Sequence, residues 1–245
     1  MTEREEQSEA GDSVNLCNER QAIDVLAQSV QGLWEIVNNL TRLRPSKRLE
    51  FRVTIFGSAR VPRDHWVYAA VRDLAKELGS LGCGVVTGGG PGLMEAANEG
   101  MALAGPEAQK RNMGIRVDLP FEQDVNPFVA EAYEHRTFFT RLHHFVLVSE
   151  AFVVVPGGIG TVLELMMIWQ LLQVRKLHQT PLILIGRMWA ELMAWGRQYF
   201  LRPEFRLASP EDLDIPHCVD TTEEAIALIR RRHEEWLREP GGAIR

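Results

Sequence analysis

Apolar residues in this chain follow two patterns. Short, strongly apolar stretches at 51–57, 83–87, 113–118, 151–155 and 181–185 read as strands covered on both faces, as in a parallel sheet. Between them, 66–81, 91–104, 137–149, 161–174, 188–201 and 222–238 read as helices. A short strand at 217–220 completes the alternation. Strands and helices alternating in this way predict an α/β fold, a Rossmann-like doubly wound parallel sheet with helices on both faces.

An additional N-terminal helix is expected over 19–42, where Ile23, Leu26, Val30, Leu33, Val37 and Leu40 form one stripe. The stripe suits packing on its own domain or a seam with a second copy. Residues 1–18 are polar and acidic and are expected to be disordered, and Arg44-Pro45-Ser46-Lys47-Arg48 reads as a linker. The expected organisation is a tail (1–18), a helix with its linker (19–48), one large sheet domain (49–239) and a short C-terminal tail (240–245).

At 245 residues and 45% hydrophobic content, the chain can bury a full core. Its formal charge of −6 argues against a general grip on nucleic acid polymers, which are held through basic surfaces. Arg230-Arg231-Arg232 is offset by Glu234, Glu235 and Glu239 and reads as a solvated helix face. Cys17, Cys83 and Cys218 are scattered, so a reducing compartment is expected, with Cys83 a small core residue. The N-terminus is acidic and no apolar run reaches the roughly 18 residues of a membrane span, so the expectation is a cytoplasmic protein without a membrane partner. His143 and His144 are adjacent and point to different helix faces, and no Cys/His ligand set appears. No metal or other cofactor is expected.

Candidate chemistry sits where strands end. Gly57-Ser58-Ala59-Arg60, Gly88-Gly89-Gly90-Pro91-Gly92 and Pro156-Gly157-Gly158-Ile159-Gly160-Thr161 each follow a predicted strand. Glycines let backbone approach a ligand, and a helix start offers unpaired N–H groups to an anion. Such turns at strand C-termini are where doubly wound sheets bind nucleotides. Neither the dinucleotide fingerprint nor a Walker A loop is present. Glu164 stands one turn inside the helix after the last turn, so a carboxylate hangs beside the phosphate seat. Glu95 follows the triple-glycine turn, Glu122 follows the third strand, and Arg136 and Arg141 bracket Phe138-Phe139. Arginine suits phosphate or a developing anion, and a carboxylate near an electron-poor sugar carbon can stabilise positive charge or activate water. These parts suit cleavage of the N-glycosidic bond of a nucleoside monophosphate anchored by its phosphate. Met94 is placed to line a base pocket, while Met166, Met167 and Trp169 read as core. The ordinary alternative is that glycines merely permit tight turns and that the Arg and Glu residues pair on helix surfaces.

The stretch Gly88 to Ala97, with Met94-Glu95-Ala96-Ala97 at its end, and the stretch Pro156 to Glu164 together resemble the LONELY GUY family. Its members are cytokinin riboside 5′-monophosphate phosphoribohydrolases and bacterial relatives acting on nucleoside 5′-monophosphates, often labelled lysine decarboxylases. No lysine here stands in a recognisable pyridoxal phosphate context. The resemblance runs from about Phe51 to about Ile229. It implies release of free base and ribose 5-phosphate, with Arg141 and Glu164 as the essential pair. It also implies phosphate over Gly157, Gly158, Gly160 and Thr161, helped by Ser58 and the turn of Gly88, Gly89 and Gly90, and Glu122 on a ribose hydroxyl. A homodimer or larger homo-oligomer, with sites near the subunit interface, is implied as well. Two departures stand out. Arg141 is followed by Leu142 where the family commonly has lysine, and Glu95 stands where plant-type members have glycine, as in the broader bacterial group.

Two readings from different classes follow: a nucleoside 5′-monophosphate phosphoribohydrolase, and a non-catalytic nucleotide or molybdenum-cofactor carrier or sensor of the same fold. The carrier would keep the glycine seats without needing Arg141 and Glu164 as a pair. A third reading, a scaffold recruiting a partner through its N-terminal helix, rests only on the stripe.

Overall fold

The computed structural model describes residues 23–30, 32–33, 50–118, 125–178 and 180–239. Residues 23–30 and 32–33 are helical (α1) and belong to a unit separate from the body that begins at Arg48. Ile23, Leu26, Val30 and Leu33 of the predicted stripe lie on the surface of α1. The expectations for the two tails, the linker and the turn carrying Glu122 lie outside the described residues.

The body runs β1 (Arg52–Phe56), α2 (Trp66–Ser80), β2 (Gly84–Thr87), α3 (Leu93–Leu103), α4 (Pro106–Gln109) and β3 (Asn112–Val117). It continues through β4 (Glu131–His135), α5 (Phe138–Val148), β5 (Ala151–Val154), α6 (Ile159–Gln173), β6 (Leu182–Ile185) and α7 (Arg187–Phe200). A 3₁₀ turn (Pro210–Asp214), β7 (Pro216–Val219) and α8 (Thr222–Arg238) close it. The strands form one sheet in the order β4-β3-β2-β1-β5-β6-β7, and every pairing is parallel.

The apolar runs behave as a parallel sheet requires. Successive side chains of a strand point to opposite faces, and here both faces are buried. Val53, Ile55, Val85, Val153 and Ile183 join one core with residues of α2, α3 and α8. Phe56, Val86, Phe152, Val154, Leu182 and Leu184 join the other with Phe145 of α5, Leu165 and Ile168 of α6 and Trp189 of α7. Cys83 is fully buried in the first core, as expected. Helix ends are held locally: the Thr221 hydroxyl accepts the Glu224 N–H while the Glu224 carboxylate accepts the Thr221 N–H, a reciprocal cap for α8.

The strand β4 was not expected. Its sequence, Glu-Ala-Tyr-Glu-His, is polar and its first four residues are exposed, because it is an edge strand with one neighbour. No apolar run marks such a strand. Among the described residues, no helix is long and apolar enough to cross a membrane.

Candidate active site

Strand order reverses between β1 and β5, whose connections leave toward opposite faces and open a crevice at their C-terminal ends. The backbone is drawn together there. Ser58 N–H donates to Pro156 O at 3.1 Å, and Leu93 N–H donates to Ser58 O at 2.9 Å. A Cβ on Gly57 would stand 2.5 Å from Val155 Cγ2, so only glycine lets β1 and β5 approach at this point. Gly92 has φ +68°, and a Cβ there would lie 2.5 Å from Ser58 O; both facts require glycine.

On one side of the crevice, α6 starts without a side-chain cap at Gly158. Gly158, Ile159 and Gly160 are exposed, leaving first-turn N–H groups and the positive end of the helix dipole at the surface. Thr161 is buried, and its side chain folds back over Gly157, where any Cβ would overlap the threonine hydroxyl. This is the predicted phosphate seat, with its four predicted residues in one turn.

Glu164 lies one turn further along α6, 8% exposed. Arg141 of α5 reaches it: Nη1 donates to Glu164 Oε1 at 3.0 Å, with each side chain only 11% exposed. Arg141 Nε donates to Ile115 O within β3 at 2.9 Å, and its guanidinium stacks 5.2 Å from the Phe145 ring centroid. On its other flank, a Cβ on Gly88 would meet Arg141 Nη2 at 2.5 Å and Met94 Sδ at 2.6 Å. Arg141 thus joins the triple-glycine turn to Glu164, and Met94 lies against Gly88 and Gly90, beside them both.

Glu95 is directed elsewhere. Its carboxylate is bound by Arg63 Nη2, whose guanidinium also lies near the rings of Tyr68 and Phe128. Tyr68 donates to Glu99 at 2.7 Å, and burial together with that acceptor pushes its ionisation up. Arg63 therefore latches the loop after β1 onto the start of α3. Arg136 is exposed and makes no ion pair among the described residues.

Beneath the triple-glycine turn lies a polar network that the sequence reading passed over: Thr87, Asn98, Asn112 and Asn126, all buried. The available signal was Asn98, a polar residue on the face of α3 that otherwise buries Leu93, Ala97 and Met101. A second polar group stands beyond Arg141, where His135 Nε2 lies 2.9 Å from His144 Nδ1. Burial first, then the charges of His135, His143 and Arg52, pushes His144 down to about 4. Burial and then Arg141 lower His135 as well. Among the described residues, no three His, Cys, Asp or Glu side chains gather into a metal-holding group.

A family model described as possible lysine decarboxylase matches residues 94–229, more than half of the chain. The pyrimidine/purine nucleotide 5′-monophosphate nucleosidases of Escherichia coli strains K12 and O157:H7 are 31% identical over 142 residues. That match covers 55% of this chain and 30% of each nucleosidase, so the chain accounts for under a third of their length. Among solved structures, the molybdenum cofactor carrier protein of Chlamydomonas reinhardtii superposes with a TM-score of 0.55 at 18% identity, covering 75% of this chain and 98% of that one. The molybdenum cofactor binding protein of Rippkaea orientalis gives 0.52 at 19% identity, covering 76% and 98%. At these identities the likeness is one of fold. A lysine decarboxylase would hold pyridoxal phosphate on a lysine, and the described lysines, Lys76, Lys110 and Lys176, are all exposed. The residues present do not fit that cofactor.

Proposed function

The chain belongs to the LONELY GUY family, whose model bears the description possible lysine decarboxylase, and within it we propose a hydrolase that cleaves the N-glycosidic bond of a nucleoside 5′-monophosphate. The observation that carries this reading is the buried Arg141–Glu164 pair one helical turn from the uncapped start of α6. In the proposed reaction the 5′-phosphate docks on the N–H groups at Gly158–Thr161, a helix N-terminus suited to a dianion. The ribose then extends toward Glu164. As the bond between C1′ and the base nitrogen breaks, the Glu164 charge offsets the oxocarbenium character of C1′, and the carboxylate then accepts a proton from the attacking water. The water oxygen joins C1′ and keeps one hydrogen, and the base leaves with the bonding electron pair and takes up the proton that Glu164 removed from the water. Arg141 orients the carboxylate through Nη1 and is itself fixed through Ile115 O, so the pair is preorganised. Phosphate binding far from the reacting carbon supplies energy for distorting the sugar.

The nucleosidase relatives support nucleotide monophosphates as the substrate class, and Glu95 in place of glycine favours a bacterial-type substrate over a cytokinin precursor. A homo-oligomer and a cytoplasmic location belong to the same proposal. The test is incubation of purified protein with a panel of nucleoside 5′-monophosphates, with free bases resolved by chromatography. Base release by wild type and its loss in Glu164→Gln is the expected result. Tight binding of monophosphates without base release from any of them would overturn the hydrolase in favour of a carrier.

A further inference from the structure

The triple-glycine turn has a fixed polarity, set from the buried side. Thr87 Oγ1 accepts the Gly89 N–H at 2.9 Å and donates to Asn98 Oδ1 at 2.8 Å. Asn126 Nδ2 donates to Asn98 Oδ1 at 2.9 Å, to Gly90 O at 3.0 Å and to Gly89 O at 3.1 Å. Asn126 N–H also donates to Gly89 O, at 2.9 Å. The amide orientation is determined by these partners, because a flipped Asn126 would set its oxygen against three acceptors. Asn98 is held in turn by Asn112, whose Nδ2 donates to Asn98 O at 2.9 Å and to Phe128 O at 2.8 Å.

No peptide bond here is cis, and in a trans peptide the C=O and the following N–H point in opposite directions. The consequences can be followed along the turn. The Gly89 N–H points into the network, so the Gly88 C=O points away from it. The Gly89 C=O points in, so the Gly90 N–H points away. The Gly90 C=O points in, and its partner position is Pro91, which has no N–H. The turn therefore turns one donor and one acceptor away from the network, and among the described residues neither makes a further backbone hydrogen bond. A phosphate cradle needs several convergent N–H groups, as α6 offers at its start, and a carbonyl beside a dianion is repulsive. A hydroxyl both donates and accepts, and matches such a pair.

We propose that the triple-glycine turn reads a ribose hydroxyl of the substrate and not its phosphate, with Asn98 and Asn126 as the positioning residues that set its polarity. The proposal rests on the nucleoside 5′-monophosphate reading and divides the work of the glycine turns: phosphate on α6, sugar on the turn after β2. It replaces the expectation that both turns serve the phosphate.

The test is calorimetric titration of wild type and Asn126→Ala with ribose 5-phosphate, its 2-deoxy and 3-deoxy analogues, and inorganic phosphate. Wild type should bind ribose 5-phosphate at least about 10-fold more tightly than one deoxy analogue, the scale of one well-made hydrogen bond. In Asn126→Ala that ratio should fall to within about 3-fold, while affinity for inorganic phosphate stays within about 2-fold. A merely structural defect would weaken all four ligands alike. Equal loss for inorganic phosphate and ribose 5-phosphate would overturn the proposal, as would wild type binding all three sugars equally. If Asn126→Ala does not fold, the wild-type series decides the ligand class, and Thr87→Val, which removes the acceptor for Gly89 N–H, replaces it. Base release without hydroxyl discrimination would refute this proposal and leave the hydrolase standing. Absence of both binding and base release would refute the hydrolase and this proposal with it.

Discussion

Glu164→Gln separates the chemistry of the site from its architecture. The replacement keeps the Oε1 acceptor facing Arg141 Nη1 and removes one charge from a pair 3.0 Å apart with 11% of each side chain exposed. At an effective dielectric near 20, that separation corresponds to about 5 kcal/mol of attraction, most of it offset by the desolvation of both groups. Removing one partner leaves a desolvated guanidinium. The expected cost in stability is about 3 kcal/mol, at the low end for breaking a buried pair because the amide still accepts the hydrogen bond. For a domain of this size that is a fall in Tm of roughly 6–12 °C. The variant should remain folded at 25 °C, so its activity reports chemistry. Loss of the proton acceptor should lower turnover at least about 100-fold. Affinity for inorganic phosphate should be nearly unchanged, since the proposed seat is the backbone of α6. Parallel thermal unfolding, phosphate titration and chromatography of released base give the three readouts. Turnover within a few-fold of wild type would remove Glu164 from the mechanism. A full loss of phosphate affinity would mean that Glu164 shapes the seat instead.

Four further outcomes are expected. Gly157→Ala should lose about 1–3 kcal/mol of stability, because its Cβ overlaps buried Thr161, whereas Gly160→Ala, whose Cβ meets nothing within 4 Å, should be neutral or stabilising in denaturant unfolding. Adenosine should show kcat/KM at least about 100-fold below that of its 5′-monophosphate, since two charge-assisted hydrogen bonds at about 1.5 kcal/mol each account for that much; equal rates would contradict the phosphate anchor. His144 is depressed from 6.5 to about 4, so between those values the unfolded chain takes up a proton that the folded chain refuses, and stability should fall as pH drops through that window. Tm measured against pH should show the slope in wild type and a shallower one in His144→Gln; parallel curves would refute it. The sequence of α6 is apolar on nearly every face, yet Ile159 and Leu163 are 91% and 46% exposed, so a second copy is expected to cover them. Leu163→Glu should then shift sedimentation toward monomer, and a wild type already monomeric at micromolar concentration would sink the idea.

The sheet was legible because buried parallel strands leave strongly apolar stretches, and five of the seven observed strands carry one, continuous in β5 and β6 and interrupted by Arg52 in β1 and Arg116 in β3. The edge strand β7 was placed by its position in the alternation, and β4 was invisible because an exposed edge strand carries no such stretch. The start of α6 was placed two residues late, at Thr161 instead of Ile159, since Gly158 and Gly160 resemble loop when read by propensity. Glu164 was legible from its place after a glycine turn and Arg141 from its place beside Phe138-Phe139, and the family resemblance named them as a pair. Their direct contact was not, because it depends on α5 and α6 lying on the same face of the sheet, a three-dimensional consequence of strand order. The Asn98–Asn126 link spans 28 positions and leaves no periodic trace. Its single clue was an asparagine on an apolar helix face.

The choice between hydrolase and carrier turns on what a buried ion pair is good for. A charged pair this shielded is a poor device for stability, because an apolar pair of equal volume would hold α5 against α6 without desolvating two charges. A carrier needs grip on its ligand, and on the proposed reading the uncapped start of α6 already supplies it. Neither need explains why a carboxylate should stand one turn beyond the proposed anion seat, with an arginine fixed through a third element, β3, to orient it. Transition-state stabilisation does explain it. A charge that must meet a developing cation is most effective when it is shielded, oriented in advance and close to a group that binds the substrate's remote anion. The cost in folding energy falls on the residues that the hydrolase reading requires, and the carrier reading gives that cost no purpose.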